Sequence, residues 1–133
     1  MGKRSTARRL AMQILFSADL GQGDIEQAAK DTLLENDYIE DTCVFARALA
    51  KGVWQNKVEI DAVMSRQTIG WPLDRMSAVD RNILRLAIYE LNYQPETPPS
   101  VVINEAVELA KKFGTDESPK FINGILGALA KKQ

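Results

Sequence analysis

Apolar residues recur at helical spacing along almost the whole chain, and nowhere do they alternate residue by residue over a strand's length. Within Val101–Gly114 they fall at Ile103, Ala106, Val107, Ala110 and Phe113, which is one stripe of an amphipathic helix. Pro98 and Pro99 stand ahead of that helix. Gly114 lies just past its end, where a left-handed residue commonly closes a helix. Ser118-Pro119 then opens another, with a hydroxyl to cap it and a proline at the first helical position.

The same pattern extends upstream. A first helix is expected from about Ser5 to Leu20, with Ala7, Leu10, Ala11, Ile14, Leu15 and Ala18 on one stripe and Gly21 and Gly23 ending it. Arg4 and Arg8, one turn apart, are expected to project together from its start. A second helix starts at Asp24, with Gln27 in capping-box position, and carries Ile25, Ala28, Ala29 and Leu33. A longer helical run follows from about Glu40 to Arg66. Phe45, Leu49, Val53, Ile60, Val63 and Met64 form its buried side, and Gly52 marks a bend or a close crossing. Ile69-Gly70-Trp71-Pro72 interrupts the pattern and reads as a hinge between two helical halves, with Trp71 as an interface plug. Ser77 with Asp80 signals a further helix start. Beyond it Val79, Ile83, Leu86, Ala87 and Leu91 face one way, and Leu84 and Ile88 widen the arc, as in a helix buried on more than one side. Glu90 falls inside that arc and needs a partner if buried. Arg81 and Arg85, opposite, read as solvated charges. The fold class is all-α.

The chain has 133 residues, 45% of them hydrophobic and 26% charged, enough for one compact domain. No run approaches the ~20 apolar residues of a membrane span. The N-terminus has basic residues without the apolar stretch of a secretory signal. Cys43 is the single cysteine and has no internal partner, so the expected location is cytoplasmic. The chain has no histidine, which removes the commonest general base and metal ligand. No zinc site of the usual Cys/His kind can be assembled, and no Gly-rich phosphate loop or nucleophile elbow is present. Composition therefore points away from an enzyme, and no metal or cofactor is expected.

The formal net charge of −1 hides an asymmetry. Lys3, Arg4, Arg8 and Arg9 give the first 18 residues +4 with no acid, so the remainder carries −5. Between Asp19 and Asp41 eight acids face only Lys30. A basic end beside an acidic body suits a polyanion partner, although short basic termini are often idle.

The wording of several segments goes further than their periodicity. NEAVELAKKFG followed by KFINGIL, with ARRLAMQILFS (Ala7–Ser17) and RNILRLAIYEL (Arg81–Leu91), resembles the bacterial NusB transcription antitermination family over nearly the whole chain. The resemblance implies one domain, 1–133, of about seven helices in two packed sub-bundles, with halves of about 1–69 and 70–133. It implies a non-enzymatic factor that recognises single-stranded boxA-type RNA jointly with the ribosomal protein NusE. Such a factor supports antitermination by RNA polymerase on ribosomal RNA operons. It is also compatible with a homodimer.

By the same resemblance the arginine-rich start contacts RNA. Lys3, Arg4, Arg8 and Arg9 are the candidates, although Ser5 and Thr6 replace basic residues usual in the family. Four phosphate contacts give a log–log salt slope of roughly −3, at about −0.7 each for single strands. Lys120 and Phe121 open the last helix where the family also receives RNA; Phe121 reads either as core or as an aromatic that stacks on a base. Asp74 and Asp80 read blandly as a turn residue and a cap, and by resemblance as the acidic surface for the basic NusE. Two alternatives remain open at this point. One is the RNA-recognition domain of a ribosomal-RNA methyltransferase, though no cofactor-binding βαβ pattern or cysteine motif is present. The other is a purely protein-binding helical scaffold.

Overall fold

A computed structural model describes residues 3–21, 23–34, 40–68 and 75–131. Among them are seven helices: α1 (Lys3–Leu20), α2 (Ile25–Leu34), α3 (Glu40–Gln55), α4 (Lys57–Gln67), α5 (Ala78–Tyr93), α6 (Pro99–Phe113) and α7 (Ser118–Lys131). The described residues contain no strand, and the all-α expectation holds. The expected hinge, Ile69 to Pro72 with Trp71, lies outside the described residues.

The chain divides into two units, residues 1–55 and 56–133, so the boundary falls at Asn56 and not near residue 69. Two features move it. The helical run expected from Glu40 to Arg66 is broken at Asn56, whose φ of −107° and ψ of 16° leave the helical well. On one side of the break Val53 is buried in the first unit; on the other, Ile60 and Met64 are buried in the second. Gly52 lies inside α3 and does not end it.

In the first unit α1 packs on both α2 and α3, and α2 on α3. Every apolar residue of the expected α1 stripe is buried, from Ala7 to Ala18. Ala7, Leu10 and Ala46 form a core cluster that Leu33 and Phe45 cover. Gly23 closes the α1–α2 turn at φ 76°, a left-handed conformation that a side chain would strain. Asp24 caps α2 by accepting from the Gln27 amide at 3.1 Å; the Gln27 side-chain nitrogen donates forward to Asp31 at 2.8 Å, and no return bond to the Asp24 amide occurs among the described residues. The Lys51–Glu26 pair at 2.6 Å is exposed and adds little stability.

In the second unit α5 is central, packing on α4, α6 and α7. Ser77 caps it, its Oγ accepting from the Asp80 amide at 3.1 Å. Ile83, Leu84, Leu86, Ala87, Ile88 and Leu91 are all buried, on both sides of the expected arc. Glu90 is buried too and engaged by a neighbour, as its burial demands.

Arg85 departs from the expectation of a solvated charge: it is only 4% exposed. Its Nε and Nη2 donate to Asp61 Oδ1 and Oδ2 at 2.8 and 2.9 Å, and Nη1 donates to Asn82 Oδ1 at 3.0 Å. Asn82 in turn donates to the Ala78 carbonyl at 2.8 Å. Asp61 belongs to α4, so the fork locks α4 onto α5 in one register. Arg81 reaches back to the Met76 carbonyl at 3.0 Å. At the far end of α5 the Tyr93 hydroxyl donates to Glu59 Oε2 at 2.8 Å, and that bond holds its pKa above the usual tyrosine value. The bond is therefore present at neutral pH and is lost as pH rises through the raised pKa.

The buried face of α6 is rotated from the expected stripe. Val102, Ala106, Leu109 and Ala110 are buried, whereas Ile103, Val107 and Phe113 are half-buried. Gly114 is not left-handed; its φ of −92° and ψ of −167° are extended. Glycine is needed there for space. A Cβ would lie 2.5 Å from Ser118 Oγ, 2.6 Å from Ser118 Cβ and 2.9 Å from the Ala110 carbonyl. Ser118 is buried, and its hydroxyl accepts from the Thr115 amide at 3.0 Å, closing the α6–α7 loop rather than capping the next turn.

Two stability predictions follow from these contacts. Asp61→Ala removes the carboxylate that neutralises the buried Arg85 and should cost about 3–5 kcal/mol in urea denaturation, whereas Asp61→Leu with Arg85→Met should stay within about 1 kcal/mol of the wild type. Gly114→Ala should lose about 1–3 kcal/mol by overpacking. Adding Ser118→Ala should not restore it, because the Ser118 Cβ blocks the same space.

Candidate nucleic-acid and partner interface

The basic candidates Lys3, Arg4, Arg8 and Arg9 all lie in the first two turns of α1, in the first unit. Their environments differ sharply. Lys3 and Arg4 are exposed and Arg9 is half-buried. Arg8 is only 5% exposed and engaged by a neighbour, so it does not project beside Arg4 as expected. The reason lies in the width of the buried face. Arg4, Arg8 and Met12 form one column at i, i+4 and i+8, and Met12 is 2% exposed. The core therefore extends one column beyond the alanine–leucine stripe and takes Arg8 with it.

Arg4 stands at the open end of the column, where its guanidinium carbon lies 3.9 Å from the centroid of the Phe45 ring of α3. Phe45 is itself half-buried against Ala7, Leu10 and Ala46, so the ring rests on the core of the unit. The sequence marks Phe45 as a core residue of α3. Its contact with Arg4 joins residues 41 positions apart and has no local signature.

Lys120, Phe121 and Asp80 belong to the second unit. Lys120 is exposed and Phe121 half-buried, so neither of the two sequence readings of the aromatic is complete. Phe121 lines two hollows. One, of about 690 Å³, is shared with Gln67, Asp116, Glu117, Lys120 and Ile125. The other, of about 460 Å³, is shared with Arg75, Met76, Asp80, Thr115 and Glu117. The ring thus forms the wall between a surface beside Lys120 and one that reaches Asp80. The local field beside Lys120 is mixed in sign, because Asp116 and Glu117 face the same hollow.

Asp80, expected as a cap, a partner contact or both, is half-buried. Its amide completes the Ser77 cap, while its Oδ1 is buried with no hydrogen-bond partner among the described residues. Buried carboxylate oxygens are rarely left in that condition, since desolvation is then uncompensated. Asp74 lies outside the described residues. No cluster of metal-ligating side chains occurs among the described residues, and no helix among them is long and apolar enough to cross a membrane.

Comparison with known proteins agrees with this architecture. The NusB family profile matches residues 5–131. The transcription antitermination protein NusB of Desulforamulus reducens is 47% identical over 97% of this chain and 90% of its own length. The structure of T. maritima NusB superposes with a TM-score of 0.89 at 38% identity, covering 100% of this chain and 93% of that one. A crystal structure of antitermination factors NusB and NusE in complex with double-stranded RNA superposes with a TM-score of 0.91 at 30% identity, covering 100% of this chain and 99% of that one. Sequence and fold agree across nearly the full length, and the chain belongs to the NusB family.

Proposed function

We propose that the chain is a non-enzymatic RNA-binding antitermination factor. It recognises boxA-type single-stranded RNA together with the ribosomal protein NusE and supports RNA polymerase antitermination on ribosomal RNA operons. The observation that carries this reading is its end-to-end likeness to a NusB that was crystallised with NusE and RNA. The placement of the side chains supports it in detail.

In the first unit the exposed cations Lys3 and Arg4 supply phosphate contacts, with Arg9 at their edge. Arg8 acts indirectly, as a buried part of the helix that carries them. In the second unit Lys120 adds a cation beside Phe121, whose half-exposed ring can take a base by stacking. Asp80 is half-buried and lines the second hollow, where its carboxylate suits a cationic group of a basic protein. Asp74 is assigned to the same acidic surface.

Filter binding of a boxA-type single strand over a range of salt, with and without NusE, tests the reading, and an RNA duplex of the same sequence serves as comparison. Replacing Arg4 and Lys120 by alanine should flatten the log–log salt slope by about 1.4, from roughly 0.7 per lost phosphate contact. An unchanged slope at unchanged affinity removes both cations from the interface. Phe121→Ala should weaken single-strand binding by about 1–3 kcal/mol. Asp80→Asn should reduce the gain from adding NusE while leaving binding to RNA alone intact; equal gain in both proteins removes Asp80 from the partner surface.

A further inference from the structure

We propose that Phe45 is a positioning residue for RNA. Its ring holds the Arg4 guanidinium flat, with the N–H edge turned toward a phosphate of the bound strand. The inference rests on the reading of Arg4 as an RNA contact and names the residue that makes the contact effective.

The geometry is that of a cation over an aromatic face, with Arg4 Cζ 3.9 Å from the Phe45 centroid. A guanidinium carries its five N–H donors in its own plane, so a ring against one face uses none of them. Among the described residues Arg4 has this ring contact and no hydrogen bond or ion pair. Among the described residues its donors therefore have no partner, while the ring sits against its central carbon. The ring in turn is fixed by packing against Ala7, Leu10 and Ala46, the core that α1 and α3 share. The two residues are mounted on different helices of one unit, so the orientation of Arg4 does not depend on its own flexible stem alone.

This arrangement bears directly on affinity. An unrestrained arginine loses rotamer freedom when it docks on a phosphate; one already held in a single orientation loses less. The bidentate match between a guanidinium and two phosphate oxygens also requires a defined plane, which the ring supplies. Lys3 is exposed too but has no ring contact of this kind among the described residues, and it acts as a point charge.

The test uses the full chain and a short single-stranded boxA-type RNA, with Arg4→Ala, Phe45→Leu, Phe45→Trp and the Arg4→Ala/Phe45→Leu double variant. Leucine keeps apolar packing and removes the π face; Phe45→Met replaces it if the leucine variant does not fold. Phe45→Leu should weaken binding about two- to fivefold, the range of an exposed cation–π contact. Phe45→Trp should retain wild-type affinity. In the Arg4→Ala background Phe45→Leu should change nothing further. Without RNA, the Arg4 side-chain proton resonances should lose their ring-current shift in Phe45→Leu. Undiminished binding by Phe45→Leu, or an equal loss in both arginine backgrounds, overturns the proposal. Tighter binding overturns it as well, since the ring would then compete with RNA for Arg4. If Arg4→Ala itself binds like the wild type, the RNA role of Arg4 fails. If Arg4→Ala weakens binding and Phe45→Leu does not, only the positioning role fails.

Discussion

A charge buried in the middle of a helix has to be neutralised where it stands, and in α5 that charge belongs to Arg85. The bidentate fork to Asp61 meets the requirement, and Asn82 accepts from the remaining edge of the guanidinium. Desolvating both ions removes most of what their attraction returns, so the pair contributes more to specificity than to stability. Its geometric consequence is strict. The fork is satisfied only when Asp61 faces Arg85, which sets the position of α4 along α5. Because α5 also packs on α6 and α7, the helix that carries Lys120 and Phe121 is built on an element whose own placement is fixed.

This also explains where the chain divides. Hydrophobic periodicity continues across Asn56, and nothing in the pattern of Phe45, Leu49, Val53, Ile60 and Met64 separates them. Periodicity reports which side of a helix is buried, not which core buries it. The partner of Arg85 is 24 residues away, and no local rule connects a charged residue on a mid-chain helix to one on its predecessor. Features written in adjacent residues were legible: the α1 stripe, the Ser77 cap, the glycine that closes α1 and the proline that opens α6. Features that depend on what packs nearby were not. Arg8 was drawn into the core by Met12 in its column, and the buried face of α6 turned toward Val102 and Leu109. Gly114 was found at the expected place for a different reason, crowding by Ser118 rather than a left-handed backbone.

The site shows the same split. That Lys3, Arg4 and Lys120 are accessible follows from charge and helix position, and the structure agrees. That Phe121 walls two hollows, one of them reaching Asp80, depends on how the α6–α7 loop folds back. The Ser118 hydroxyl and the absence of a Cβ at Gly114 set that loop tightly enough to place Thr115 and Glu117 beside the ring. A residue type at a sequence position can suggest stacking; only the loop geometry decides how much of the ring is left for a base.

Two of the exposed cations assigned to RNA, Lys120 and Arg4, are chemically unequal, and the structure sharpens the difference. Lys120 is a compact point charge on a flexible stem, with Asp116 and Glu117 lining the same hollow. Its attraction to a phosphate is offset by the field of those acids and is screened by salt. Arg4 has a planar fork whose central carbon lies 3.9 Å from the centroid of an aromatic ring. In the proposed complex such a group sets the register of the strand, because a bidentate contact tolerates little rotation. Lysine supplies charge without geometry. A helical protein with few cations assigned to RNA, and an acidic remainder that discourages non-specific adhesion, gains more from orienting one arginine well than from adding another basic residue.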